Sequence, residues 1–192
     1  VNRRKLMTFD NILDSECQAL VNTTNVQGVM GAGLAAQFAR RFPRMYEAYK
    51  LACINREHRM GEMLFYHDES GKTIVNFPTM EYPGRRADLK DIEAGLQDLS
   101  RAILMTQSPR LDSIAIPALG CGIGRLNWPD VESLISDYLG NIDWLHVEVY
   151  PPDGKKYVLK ERVAGGLAKN LPSDHRSGHD EDVRPDQSRS SY

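Results

Sequence analysis

Two glycine-rich segments carry the most visible chemistry of this chain, VNTTNVQGVMGAG at Val21–Gly33 and IPALGCGIGRLNW at Ile116–Trp128. Glycine lets backbone N–H groups approach an anion with no Cβ in the way, and successive N–H groups beside a helix N-terminus form an anion-binding concavity. Each segment lies where an apolar strand pattern gives way to a helical one. Two such cradles in one small domain imply a diphosphate held from both sides, and the Asn and apolar residues around them point to a nucleotide-like ligand.

The string Gly31-x-Gly33-x-x-Ala36 matches the dinucleotide-binding fingerprint, but its context does not. The strand is expected to end near Asn22, Thr23–Met30 intervene before the first glycine of the match, and no second strand bearing an acid follows. No Gly-Lys-Ser/Thr step marks a P-loop either. His175 and His179 are spaced four apart in a polar stretch without a third ligand, so they are assigned no metal. Cys17, Cys53 and Cys121 are isolated and odd in number. That argues against a disulfide framework or a zinc site and fits a reducing cytoplasm.

These loops need elements to position them. Strands are expected at Lys5–Phe9, Cys17–Asn22, Glu62–His67, Thr73–Phe77, Ser113–Pro117 and His146–Tyr150. Asp68-Glu69-Ser70-Gly71-Lys72 links Glu62–His67 and Thr73–Phe77 as a β-hairpin, so an antiparallel pair sits inside an α/β pattern. Leu34, Ala35, Phe38 and Phe42 recur at helical spacing, and Pro43 opens a second helix through about Asn55. Leu89, Ile92, Leu96, Leu99 and Ile103 mark the clearest amphipathic helix, with Asp88 as N-cap and Asp91 in its first turn. Pro129 begins another, turning Val131, Leu134, Ile135 and Leu139 inward. The order of elements implies a mixed sheet between helical layers.

The chain of 192 residues is 41% hydrophobic and 26% charged with a formal net charge of −2, ordinary values for one globular domain and no global drive toward nucleic acid or membrane. No apolar run is long enough to cross a bilayer, and VNRRK is followed by LMTFDNIL in place of a signal-peptide core. A soluble cytoplasmic monomer is expected. Residues 172–192 are polar and almost without apolar anchors, so they are expected to be disordered, with 153–171 holding a short extension, a strand or a short helix.

The segments VNTTNVQGVMGAGLAAQFARRFP, NFPT, IPALGCGIGRLNW and VYPP resemble a macrodomain, in register from about Lys5 to Pro152. Within that family they are most similar to the DarG-type DNA ADP-ribosyl glycohydrolase antitoxins, which are related to the human terminal ADP-ribose glycohydrolases. The resemblance implies a macrodomain over 1–152, a three-layer α/β/α sandwich with a mixed central sheet. It also implies ADP-ribose bound at the C-terminal ends of the central strands with no further cofactor, and removal of ADP-ribose from nucleic acid, from a DNA base, as antitoxin to a partner ADP-ribosyltransferase.

Carried over by position, the resemblance puts Asn11, next to Ile12, at adenine, and Asn22 and Asn25 at the distal ribose. Gly28, Gly31, Ala32 and Gly33 supply backbone donors on one side of the diphosphate; Gly120, Cys121, Gly122 and Gly124 supply them on the other, and Leu119 is a ligand-binding position beside them. Val29, Met30 and Ile123 close over the phosphates, Thr79 ends its strand beside the site, and Tyr150 stacks on adenine. Other roles stay open for some of these types: Asn also forms turns by bonding its own backbone, Val29, Met30 and Ile123 also suit core packing, and Tyr150 suits a buried strand end.

The resemblance also exposes a departure. Where DarG-type proteins read NFPTK, with a lysine acting at the anomeric carbon, this chain has Met80. A thioether has no titratable proton and does not replace an amine. The acid that the human-type relatives carry in the second glycine loop falls at Gly124, as it does in the DarG branch. The catalytic group is therefore unassigned, with two consequences: a water oriented by a ligand phosphate, or a non-catalytic reader of ADP-ribose. Glu81, Tyr82, Arg85, Arg86 and Lys90 lie close by in sequence and read chiefly as a solvated face. Arg85, Arg86 and Arg125 are the candidates for contacts to a nucleic-acid chain, ahead of Arg40, Arg41 and Arg44.

Overall fold

The apolar runs of the sequence become parallel strands covered on both faces. A computed structural model describes residues 9–106 and 108–159. Its elements are β1 (Ala19–Thr24), α1 (Gly33–Arg41), α2 (Pro43–Ile54), β2 (Leu64–His67), β3 (Thr73–Pro78), α3 (Leu89–Met105), β4 (Ser113–Pro117), α4 (Trp128–Leu139), β5 (His146–Tyr150) and β6 (Tyr157–Val158), preceded by a short 3-10 turn at Ile12–Asp14. The strands form one sheet in the order β2-β3-β1-β4-β5-β6. The inner four are parallel, and the two edge strands run antiparallel to their neighbours.

Alternation along each strand divides the core in two. Ala19, Val21, Val75, Phe77, Ile114 and Ile116 face α3 and α4, where Ile92, Leu96, Leu99, Val131 and Ile135 meet them. Leu20, Ile74 and Ala115 face the other way, onto Phe38, Met45 and Tyr49 of α1 and α2. This is the expected mixed sheet between helical layers. Because β3, β1, β4 and β5 are parallel, all four C-terminal ends open on one edge, and the loops that follow them share it.

The hairpin closes through Asp68 N donating to Lys72 O at 2.8 Å. Asp88 caps α3 by accepting from Lys90 N at 2.9 Å. The central strand departs from expectation: it spans Ala19–Thr24 instead of Cys17–Asn22, because Ser15 Oγ holds Cys17 N in a bend while Thr23 and Thr24 pair with Phe77 and Pro78. Of the strand expected at Lys5–Phe9, residues 5–8 lie outside the described residues, and Phe9 is not in a strand. Past residue 152 the sheet continues into β6, and Leu159 joins the core. The expected tail at 172–192 lies outside the described residues. No described helix is long and apolar enough to cross a membrane.

Candidate functional site

At that shared edge, the loops after β1, β3 and β4 enclose a cleft of about 790 Å³. One wall is the first glycine segment, with Asn25, Val29, Gly31, Ala32 and the first turn of α1 from Gly33 to Ala35. A helix leaves its first N–H groups without partners in the helix, so this turn presents donors to the cleft. The facing wall is Gly120–Gly124. Its fold is set by three backbone bonds, Cys121 N to Ala118 O, Arg125 N to Gly122 O and Leu126 N to Gly120 O. Among the described residues the N–H groups of Gly122, Ile123 and Gly124 are left without a hydrogen bond inside the protein. Gly124 has to be glycine here, since a Cβ would stand 2.5 Å from Gly120 O and 2.7 Å from the Ala87 side chain.

The floor is Thr23, Thr24, Thr79 and Pro117, and Met80, Pro83 and Gly84 form the far rim. Among these lining residues the one titratable side chain is Cys121, and burial pushes its thiol up to about 11. The cleft thus meets an anion with backbone dipoles and no charged side chain.

A second recess of about 440 Å³ adjoins the cleft and shares Leu34 and Pro117 with it. Phe9, Asp10, Asn11, Ile12, Gln37 and Tyr150 complete its walls. The Tyr150 hydroxyl donates to Glu148 Oε2 at 2.8 Å, and Ser15 Oγ donates to the same oxygen at 2.7 Å. Burial works against the Glu148 carboxylate, but these hydrogen bonds and the Lys156 charge outweigh it and hold the group below its ordinary pKa. Burial and the adjacent carboxylate raise the Tyr150 phenol, so the ring is neutral and fixed at the recess wall. Cleft and recess together make one elongated site, with backbone donors on two facing walls and an aromatic ring at one end.

The macro domain family model matches residues 21–135, more than half of the chain and both cleft walls. The chain belongs to the macro domain family. This macrodomain is 39% identical over 147 residues to a protein of Mycobacterium tuberculosis named DNA ADP-ribosyl glycohydrolase, covering 75% of this chain and 41% of that one. It therefore spans about two fifths of that relative's length. The solved macrodomain of Mycobacterium tuberculosis DarG superposes with a TM-score of 0.70 at 39% identity over 74% of this chain and 93% of that one. Thermosipho africanus DarTG in complex with ADP-ribose superposes with a TM-score of 0.68 at 29% identity, over 84% of this chain and 41% of that one.

The macrodomain brings together most of the residues singled out from sequence. Asn25, Val29, Gly31, Ala32, Gly33, Thr79, Gly120, Cys121, Gly122, Ile123 and Gly124 line the cleft, and Asn11, Ile12 and Tyr150 line the recess. Four residues do not reach either. Asn22 is fully buried, because β1 continues past it: its Nδ2 donates to Asn76 Oδ1 at 3.0 Å and approaches Met30 Sδ at 3.7 Å. Met30 packs in the core under α1 and α2, Gly28 backs onto Lys50 and Cys53 of α2, and Leu119 is buried beneath the second loop.

Two asparagines that do line the site spend their amides locally. Asn11 Oδ1 caps the 3-10 turn by accepting from Leu13 N. Asn25 Oδ1 accepts from Gln27 N and from the Tyr49 hydroxyl, while its Nδ2 donates to Val29 O at 2.7 Å. Asn25 is therefore the organiser of the first loop, and Tyr49, buried under it, is the anchor that sequence reasoning missed. His58 was missed as well: its Nε2 lies 2.9 Å from Thr24 Oγ1, directly beneath the cleft floor. Neither has a local motif, since both act from across the fold. Arg85, Arg86 and Arg125 are exposed and outside the cleft lining, on the segments that flank it.

Proposed function

We propose that this macrodomain binds the ADP-ribosyl group carried on a DNA base and releases it as free ADP-ribose, acting in the cytoplasm as a monomeric antitoxin to a partner ADP-ribosyltransferase. The observation that carries the binding is the pair of backbone cradles facing each other across one cleft, continuous with the Tyr150 recess. Adenine fits the recess, the diphosphate fits between Gly31–Ala35 and Gly120–Gly124, and the distal ribose falls under the Met80–Gly84 rim. Support for the nucleic-acid substrate comes from the name of the Mycobacterium tuberculosis relative, DNA ADP-ribosyl glycohydrolase, and support for the ligand from the Thermosipho africanus DarTG complex with ADP-ribose.

Release is hydrolysis at the anomeric carbon of the distal ribose. A water oxygen bonds to that carbon as its bond to the base breaks, and the departing base takes up a proton. With Cys121 held as a thiol, no lining side chain serves as base. Orientation of the water falls to the ligand phosphate, fixed by the two loops, so the rate enhancement comes from positioning and preorganised dipoles.

Met80 on the rim favours a second reading, a reader that binds ADP-ribosyl groups without cleaving them. The test is release of ADP-ribose from an ADP-ribosylated DNA oligonucleotide by the unaltered protein, with Met80→Lys beside it. Release by the unaltered protein is the expected outcome, with Met80→Lys faster. No release by the unaltered protein, with activity gained in Met80→Lys, makes the protein a reader.

A further inference from the structure

We propose that Tyr82 and Arg85 form a stacking platform at the cleft rim for the base that neighbours the modified nucleotide, so that this turn adds affinity for the nucleic-acid chain. The proposal rests on the ADP-ribose reading of the cleft. Tyr82-Pro83-Gly84-Arg85 is a tight turn closed by Arg85 N donating to Tyr82 O at 3.2 Å, with Gly84 at a φ of 78°. Pro at the second position and a left-handed Gly at the third define a type II turn, which brings its first and fourth residues side by side. Here those are Tyr82 and Arg85, and the guanidinium lies 5.0 Å from the ring centroid.

The turn's two central residues line the cleft while the Tyr82 ring stays 42% exposed and belongs to neither core cluster. Gln27 Nε2 donates to Glu81 O at 3.3 Å, tying the turn to the first glycine loop. The ring is thus held next to the end of the cleft from which the modified base must leave. One ring face meets Arg85, and a base can stack on the other; aromatic and Arg platforms of this kind hold unpaired bases regardless of sequence.

The segment that carries the platform has no net charge. From residue 81 to 91, Arg85, Arg86 and Lys90 are balanced by Glu81, Asp88 and Asp91. Stacking, and not counterion release, is therefore the expected source of the extra affinity.

The experiment compares dissociation constants for free ADP-ribose and for an ADP-ribosylated single-stranded oligonucleotide. Tyr82→Ala should weaken the oligonucleotide by about 5- to 100-fold, the size of one stacked base, while free ADP-ribose binds unchanged. Tyr82→Phe should restore the oligonucleotide, and the loss in Tyr82→Ala should be the same at low and high salt. An unchanged ratio of the two constants in Tyr82→Ala overturns the platform and leaves the cleft reading standing. Failure of the unaltered protein to bind free ADP-ribose overturns both. An ADP-ribosylated peptide that loses as much affinity in Tyr82→Ala as the oligonucleotide overturns the assignment to nucleic acid.

Discussion

The residues that matter most at the cleft act through the backbone they hold. Asn25 and Tyr49 fix the first loop, Gly124 lets the second close, and His58 sits under Thr24 with its ring edge-on to Tyr49 at 5.4 Å. Burial lowers His58 from 6.5 to about 4, so its imidazole is neutral in the folded protein. The unfolded chain takes up the proton at its ordinary pKa, and between pH 6.5 and 4 it binds more protons than the folded state. The stability contribution is therefore complete above about pH 6.5 and is lost as pH falls toward 4, by up to about 3 kcal/mol. Urea midpoints at pH 7, 5.5 and 4.5 should fall with pH in the unaltered protein and fall less steeply in His58→Gln. Parallel pH dependence in the two would dismiss His58 as the group responsible. At this scale, sequence pointed to the two loops that line the cleft but not to the facing of each residue in them. Asn22 and Asn25 stand three apart in one motif, and only the two extra residues of β1 decide that the first is buried against Asn76 while the second reaches the cleft.

Elements position these residues through close contacts that spacing alone does not reveal. The apolar repeat of α3 was legible from Leu89 to Ile103, and so were its cap and the antiparallel β2–β3 hairpin, because each is written in consecutive residues. Gly95, in the middle of α3, carries no such signal and looks like a weakness, since Gly costs about 1 kcal/mol against Ala in a helix interior. The sheet explains it. A Cβ on Gly95 would stand 2.3 Å from Phe77 Cζ and 2.5 Å from Cε1, so the ring of β3 occupies the place of a side chain. Phe77 lies one residue before Pro78 and two before Thr79, and α3 therefore clamps the strand whose end carries the Met80 rim. Gly95→Ala should destabilise the fold by about 1–3 kcal/mol through overpacking, despite its better helix propensity. Chemical denaturation measures this, and a variant more stable than the parent would refute the clamp.

The molecule as a whole is two half-cores on opposite faces of one sheet, and the cleft joins them. The first glycine loop is rooted in β1 and α1 on the Phe38, Met45 and Tyr49 side; the second is rooted in β4 and α4 on the Leu96, Leu99 and Ile135 side. The strand order β2-β3-β1-β4-β5-β6 that makes the loops neighbours is a long-range property, and no local pattern in the sequence carries it. A ligand whose diphosphate bridges both loops binds only when both halves are folded, so its binding energy adds to the global stability. At a concentration of ADP-ribose 100 times its dissociation constant the gain is about 2.7 kcal/mol. For a domain of this size that corresponds to a rise in Tm of roughly 5–10 °C. Thermal unfolding with and without ADP-ribose should show one transition shifted upward by that amount, and Gly124→Ala, which breaks the second wall, should lose the shift. If ADP-ribose raised the Tm of Gly124→Ala as much as that of the unaltered protein, the second loop would not be a phosphate cradle, and the ligand would be held by the first loop alone.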